Sequence, residues 1–292
     1  SCHEGHNAMR RVCLLLLLAC YSTLVHSQDY VPLDFPGATS TMVLGVNLSG
    51  VVSGTFTASN GRHYGFVLNS QGIFRTIDID DSVDTRVMGI NRHGSLVGDY
   101  LDSAERRHAF ATQINGMRII DFPEAISTYG FGINTRGDIA GQYEDINGGV
   151  HGFRLNRTEY LSVNYPGAVT TIARDLNNTG DVVGEYEDDA GVRHGFFLRN
   201  KTYAKIHYPN SALTRAFGIN NRRDIVGSYS NDTGIHGFWV RARSYTTMDF
   251  PGAVSTVITD LNENGVIVGY FVDTSGDTHG FIYKKQIIAT GR

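Results

Sequence analysis

The sequence predicts an all-β fold: a six-bladed β-propeller built from six repeats of about 43 residues. Three observations carry this. A His-small-Phe element recurs, as His108-Ala-Phe and then as His151, His194, His236 and His279, each before Gly-Phe. An element of the type Asp-Phe-Pro-Gly-Ala marks six copies, with Pro36, Asp80, Pro123, Pro166, Pro209 and Pro251 in register. Behind it three positions never vary: Thr41, Thr85, Thr128, Thr171, Thr214 and Thr256; Asn47, Asn91, Asn134, Asn177, Asn220 and Asn262; and Gly54, Gly98, Gly141, Gly184, Gly227 and Gly269.

Each unit reads as four short strands. In the sixth copy "STVITDL" is the first, "NENG" a turn, "VIVGYFV" an alternating second strand, and "DTSGD" another turn. "THGFIY" is the third, and segments such as "YTTMDF", ended by Pro-Gly, are the fourth. Alternation with period two, β-branched and aromatic enrichment and closely spaced turns favour strands. No amphipathic helix is expected after residue 28.

The chain's ends predict ring closure. "YVPLDFPGA" is a lone fourth strand and "HGFIY" a third strand without its fourth, so the opening strand is expected to complete the last blade and remove an exposed edge. Pro32 fits an outermost strand, where a missing N–H is tolerated. The tail "QIIATGR" competes for the same slot.

Before this domain, Met9-Arg10-Arg11, the apolar run "VCLLLLLAC" and small residues at Val25 and Ser27 have the pattern of a signal peptide cleaved before Gln28. The run is shorter than the ~20 residues needed to span a bilayer, so no transmembrane segment is expected. The organisation expected is residues 1–27 as signal peptide with an upstream extension, residues 1–8 lying before the start, and 28–292 as a single domain. The product is then secreted or extracytoplasmic; a lipid anchor through Cys20 is the minor alternative. Cys2, Cys13 and Cys20 all precede the cut, which leaves no disulfide, thiolate metal site or cysteine nucleophile. The full chain carries 25 Lys and Arg against 29 Asp and Glu, net −4, with no basic run, which argues against nucleic acid as a partner.

Residues repeated in every blade are expected to serve mechanics. The Phe fills space between blades, the small residue lets a neighbouring backbone approach, and His108, His151, His194, His236 and His279 pin a turn or an adjacent strand. The competing reading is a metal-binding ring of histidines, against which Tyr64 takes the position in the first copy. The six asparagines are turn residues whose side chains bond their own backbone. Arg223 replaces the turn glycine in the fifth copy, so that turn is expected to differ. The acidic segments "YEDINGG" and "YEDDAG" suggest calcium, but without the spacing of a calcium loop they read first as hairpin turns. No cofactor is expected, and calcium only as a weak possibility.

The elements "HAF" and "HGF", with "GIN" followed by a Gly and "IVG", make the chain resemble the HAF-repeat family of secreted bacterial proteins. The resemblance covers residues 30–283. It implies a bacterial, exported repeat protein and no particular reaction.

Function is then sought where the repeat breaks. On the strand placed nearest the axis the fourth copy reads Arg174-Asp175 and the sixth carries Asp260, while Arg86 and Arg215 share one position in the second and fifth. His207 stands where other copies have Asp or Asn. A polar funnel of Arg174, Asp175, Arg215 and Asp260 is the candidate ligand site; salt bridging between blades is the plainer account of the same residues. Trp239, Tyr129 and Tyr270 are candidates for exposed aromatics that stack on sugar, although single aromatics in blades more often belong to the core. No Gly-x-Ser-x-Gly, His-Glu-x-x-His, phosphate loop or Rossmann fingerprint is present. The favoured reading is an exported binding module for a glycan, a cell-envelope polymer or a protein, with no catalysis assumed. The alternatives are a hydrolase or lyase with a carboxylate-lined, possibly calcium-dependent site, and a structural surface protein.

Overall fold

The computed structural model describes residues 29–113 and 116–285; the segment 1–27 expected to be a signal peptide and the competing tail at 286–292 lie outside the described residues. Among the described residues, twenty-four strands form six four-stranded antiparallel sheets. The first strands, Ser40–Val46, Asp84–Ile90, Ser127–Ile133, Thr170–Leu176, Leu213–Ile219 and Ser255–Leu261, touch one another in sequence around the axis, the last meeting the first. This is a closed six-bladed β-propeller. Tyr30–Leu33 pairs with Thr278–Tyr283 as the outermost strand of the sixth blade, with Pro32 opposite Phe281. Tyr30 is buried against Phe250, Phe281 and Tyr283, so the closure is packed as well as hydrogen-bonded.

Each invariant residue has a local reason. The threonine Oγ1 accepts the backbone N–H of the residue six positions earlier, from Phe35 to Thr41 at 2.9 Å through Phe250 to Thr256 at 3.0 Å, in all six blades. It fixes the Pro-Gly turn that delivers the chain to the axis. The asparagine Oδ1 accepts two N–H groups of its turn, as Asn91 does from His93 and Ser95. Its Nδ2 also reaches across to the next blade: Asn91 to the Asn134 carbonyl at 3.0 Å, and Asn262 to the Asn47 carbonyl at 2.9 Å over the seam.

The glycine is a steric necessity. Every first strand shifts register at the same place, between Val87 and Gly89 in the second blade for example, and the bulge turns a carbonyl toward the second strand. A Cβ on Gly98 would lie 1.9 Å from the Arg86 oxygen and 3.0 Å from the Phe110 ring. Those phenylalanines, Phe66, Phe110, Phe153, Phe196, Phe238 and Phe281, are fully buried and anchor the blade cores. Truncating one to Ala costs roughly 3–5 kcal/mol on the usual scale for core aromatics.

One expectation is corrected. The turn at Arg223 does not differ: Arg223 N bonds the Asn220 carbonyl at 3.0 Å, as Gly180 N bonds Asn177, and Arg223 adopts the left-handed φ of 64° that the glycines take elsewhere. Its guanidinium compensates by reaching back to Asp181 of the fourth blade at 2.7 Å.

Candidate functional site

The first strands surround an axial channel with a cavity of about 380 Å³, within the range of roughly 300–1,000 Å³ typical of ligand pockets. All four residues of the expected funnel, Arg174, Asp175, Arg215 and Asp260, line it, and Arg86 joins them. The sixfold repeat supplies the scaffold, and the lining departs from it.

Asp175 and Asp260 occupy the position just after the bulge, where the other blades have Gly45, Gly89, Gly132 and Gly218. Neighbouring first strands approach closely here: a Cβ on Gly132 would lie 2.7 Å from Asp175 Cα, and one on Gly218 2.9 Å from Asp260 Cα. A side chain fits because both ring neighbours of each aspartate are glycines. Each carboxylate then reaches forward one blade. Asp175 Oδ2 accepts the Ile219 N–H at 2.9 Å, and Asp260 Oδ2 accepts the Val46 N–H at 2.8 Å. Asp260 Oδ1 also accepts from Leu261 N at 2.7 Å.

Both carboxyls are held above the usual carboxylate range. Burial is the main cause for each, and the charge on Asp260 pushes Asp175 further up. The backbone N–H groups oppose this without cancelling it.

The arginines are anchored by acids that the sequence reading missed. Asp99 and Glu185 sit at one equivalent position of the second strand, facing the channel, where the other blades carry Thr55, Gln142, Ser228 and Tyr270. Arg86 donates to Asp99 Oδ1 at 2.6 Å and Arg107 at 2.7 Å. Glu185 accepts two hydrogen bonds from Arg174, and Arg215 Nε lies 3.1 Å from its other oxygen. Burial pushes the Glu185 carboxyl up, but Arg174, Arg215 and Arg193 together bring it below its ordinary value. For Asp99, burial outweighs Arg86 and Arg107 and the group stays raised. The signal available in the sequence is two acids in a second-strand column that is neutral in the other four blades.

Arg174 also lies between two rings. Its guanidinium is 4.7 Å from the Phe131 centroid and 5.4 Å from that of Phe217, its neighbours at the bulge position in the third and fifth blades. One wall of the channel is therefore Phe-Arg-Phe, and the opposite wall presents Leu44, Met88 and Thr259. Such a wall offers apolar area and a half-exposed, fixed cation together.

The expected aromatics divide. Tyr270 lines the channel and is half-buried; Tyr129 is half-buried beside Arg86; Trp239 lies on a third strand, half-buried beneath Arg241, away from the channel. None is an exposed stacking platform, because the first, second and third strands that carry them are covered by neighbouring blades.

The repeated histidines lie on third strands, off the channel. His108 bridges Asp102 of the preceding turn and Asp121 at the end of the fourth strand; His236 joins Asn231 and Asp249 likewise. His151 links Asp145 to Asn164, His194 bonds Asp188, and His279 bonds Asp34 of the opening segment at 3.0 Å. His207 stands 6.2 Å from the His194 ring, and burial, Lys205 and His194 lower its pKa. Asp145 and Asp188, in the segments read as weak calcium candidates, use one oxygen to cap the turn and the other to hold the histidine. Among the described residues no group of three or more His, Cys, Asp or Glu side chains is placed to hold a metal, and no helix is long and apolar enough to cross a membrane.

The fold and channel define the class: a closed six-bladed β-propeller with an asymmetric axial cavity. No family model and no curated protein matches the chain. Among solved structures it is similar to AofleA from Arthrobotrys oligospora, with a TM-score of 0.58 and 12% identity over 88% of this chain and 87% of that one. It is similar also to the fucose-specific lectin of Aleuria aurantia, a six-bladed propeller, at TM-score 0.54 and 10% identity over 87% and 93%. The β-propeller domain of the Trilobed protease from Pyrococcus furiosus follows at 0.55 and 8%, over 86% and 82%. At such identities the likeness is one of fold.

Proposed function

We propose that the protein is an exported binding module whose ligand, a glycan or a glycan-bearing polymer, enters the axial channel. The observation that carries this is the Phe131–Arg174–Phe217 wall, a stacked and anchored cation beside apolar surface in a cavity of ligand size. Arg86 and Arg215 add donors, and Asp175 and Asp260 add carboxyl groups able to donate or accept for sugar hydroxyls. The fucose-specific lectin of Aleuria aurantia among the similar folds supports the reading by analogy only. Export rests on the charged and apolar N-terminal segment and the HAF-repeat resemblance, which also supports a bacterial source.

The test is a glycan array read with wild-type protein and with Arg174→Ala and Phe217→Ala. Retention of one glycan class by wild type, lost in both variants, supports the reading. A blank array with folded protein, or binding indifferent to both substitutions, refutes it.

A second reading has one observation in its favour. Two carboxyls held above their ordinary range in one channel are suited to donating and accepting protons at neutral pH, as a propeller hydrolase or lyase requires. Turnover of any array-positive polymer, abolished in Asp175→Gly and Asp260→Gly with binding retained, would establish it. Binding without turnover leaves the binding module.

A further inference from the structure

The basic residues lack any run in sequence, but the fold gathers them. First strands end, and third strands turn into fourth strands, on the face that carries the conserved Asn turns. In the third, fourth and fifth blades this face is built around a buried aspartate four residues after the Asn: Asp138, Asp181 and Asp224. The other blades have Val51, Ser95 and Val266 there.

Each of these aspartates holds two arginines. Asp138 pairs with Arg136 at 2.6 Å and Arg154 at 3.6 Å; Asp181 with Arg223 at 2.7 Å and Arg199 at 3.8 Å; Asp224 with Arg222 at 3.2 Å and Arg241 at 3.9 Å. One buried negative charge per two cations leaves the clusters at Asp138 and Asp181 net positive; at Asp224, Glu263 lies 3.8 Å from Arg222 and offsets part of the charge, and the salt bridges hold the arginine forks in place. Hydrogen bonds from Arg136 to the Asn178 carbonyl, at 2.5 Å, and from Arg223 to Asp181 tie successive clusters together, and Arg222 bonds the Glu263 carbonyl of the sixth blade.

The same three blades place an exposed cation at the tip of the turn between third and fourth strands: Arg157, Lys201 and Arg243, at φ of 49°, 67° and 67°. Glycine or asparagine is favoured in that conformation, and a side chain with a Cβ costs about 1 kcal/mol there. Local stability does not account for basic residues at all three tips. Six acids lie instead in the turns at the opposite end of the strands, Asp102, Asp145, Asp188, Asp232, Asp273 and Asp277, while Glu159 and Glu263 lie on the basic face.

We propose that this face of blades three to five docks an anionic polysaccharide, a chain bearing carboxylate or sulfate groups that the paired guanidiniums and the three tips grip in succession. A membrane fits less well: exposed Val83, Ile126, Ile146, Val169 and Val254 lie at the other end of the strands, and the exposed apolar side chains at the turns of this end, Ile73 and Met117, belong to the first and second blades, outside the three clusters. A nucleic acid fits less well too, because Tyr160, Tyr203 and Tyr245 are packed edge-on against core rings and offer no stacking face. Choosing a polysaccharide over other polyanions rests in part on the export reading; the face borders the mouth of the channel at Asn178 and Glu263, but none of its arginines nor Lys201 lines the channel.

The test uses the protein from residue 28 onward, with polygalacturonate as probe, neutral dextran as control, and single-stranded DNA and anionic phospholipid vesicles as competitors. The variant is Arg157→Gly/Lys201→Gly/Arg243→Gly, which removes three charges while placing glycine where φ is positive, so folding stability is kept or raised. Wild type is expected to bind polygalacturonate, losing on the order of ten- to a hundredfold in affinity between 50 and 200 mM salt. The triple variant is expected to bind at least tenfold more weakly with a shallower salt dependence, and Arg174→Ala to bind as wild type does. Absence of wild-type binding, equal binding by the triple variant, or stronger binding to DNA or vesicles overturns the proposal. Loss of binding in Arg174→Ala alone would move the polymer into the channel, refuting this face while sparing the channel reading.

Discussion

The two channel aspartates make stability depend on pH in a direction opposite to ordinary acid denaturation. A carboxyl raised in the folded state holds its proton where the unfolded chain has lost it, so stability is full below about pH 4 for this group and falls as pH rises through the folded value. Asp260 is raised from 3.8 to about 7. At 1.36 kcal/mol per unit the shift corresponds to about 4 kcal/mol between pH 4 and 7, of which about 2 kcal/mol falls above pH 5.5. Asp260→Gly restores the residue that four blades carry and removes the ionising group, at a backbone-entropy cost of about 0.5–1 kcal/mol. Urea unfolding at pH 5.5, 7.0 and 8.5 is the assay. Wild type is expected to lose stability over this range, and Asp260→Gly to lose distinctly less. Because Asp260 contributes to raising Asp175, the variant also lets Asp175 ionise at lower pH. Histidine titrations are common to both proteins and drop out of the difference. Equal pH slopes for wild type and variant would refute the argument.

Other outcomes follow from single contacts. Gly184→Ala sets a methyl 1.9 Å from the Ile172 carbonyl and 2.8 Å from Phe196, so we expect at least about 4 kcal/mol of destabilisation, read as insoluble or molten protein. Asn262→Ala removes both a turn cap and the Nδ2 bond across the seam to Asn47, and chemical denaturation should show a loss of about 1–3 kcal/mol. Tyr30→Ala empties the closing strand's contacts with three rings, and early hydrogen exchange along Thr278–Tyr283 is expected. The hydrogen bond and charge of Asp34 raise the His279 pKa; in Asp34→Ala its NMR titration should shift downward toward the ordinary value.

The site was half legible. Arg174, Asp175, Arg215 and Asp260 stood out because they break a column that is otherwise repeated, and the fold brings all four to one channel. Asp99 and Glu185 did not stand out. They sit in a second-strand column with no consensus to break, and only the pairing of Arg86 with Asp99 and of Ile172 with Glu185 reveals that this column faces the axis. Trp239 was misread for the complementary reason: exposure of an aromatic depends on the neighbouring blade, which a strand pattern does not contain.

The sequence by itself determined the repeat, the four-strand unit, the closing strand and the residues each turn demands, because these depend on contacts within a few residues or one repeat away. Tertiary structure alone decided which charges meet. Asp138, Asp181 and Asp224 lie 43 residues apart along the chain, and their arginines come from turns and strand ends on the same or a neighbouring blade. A ring places equivalent positions on one face whatever their separation in sequence, so an acidic chain without a basic run still presents a basic face.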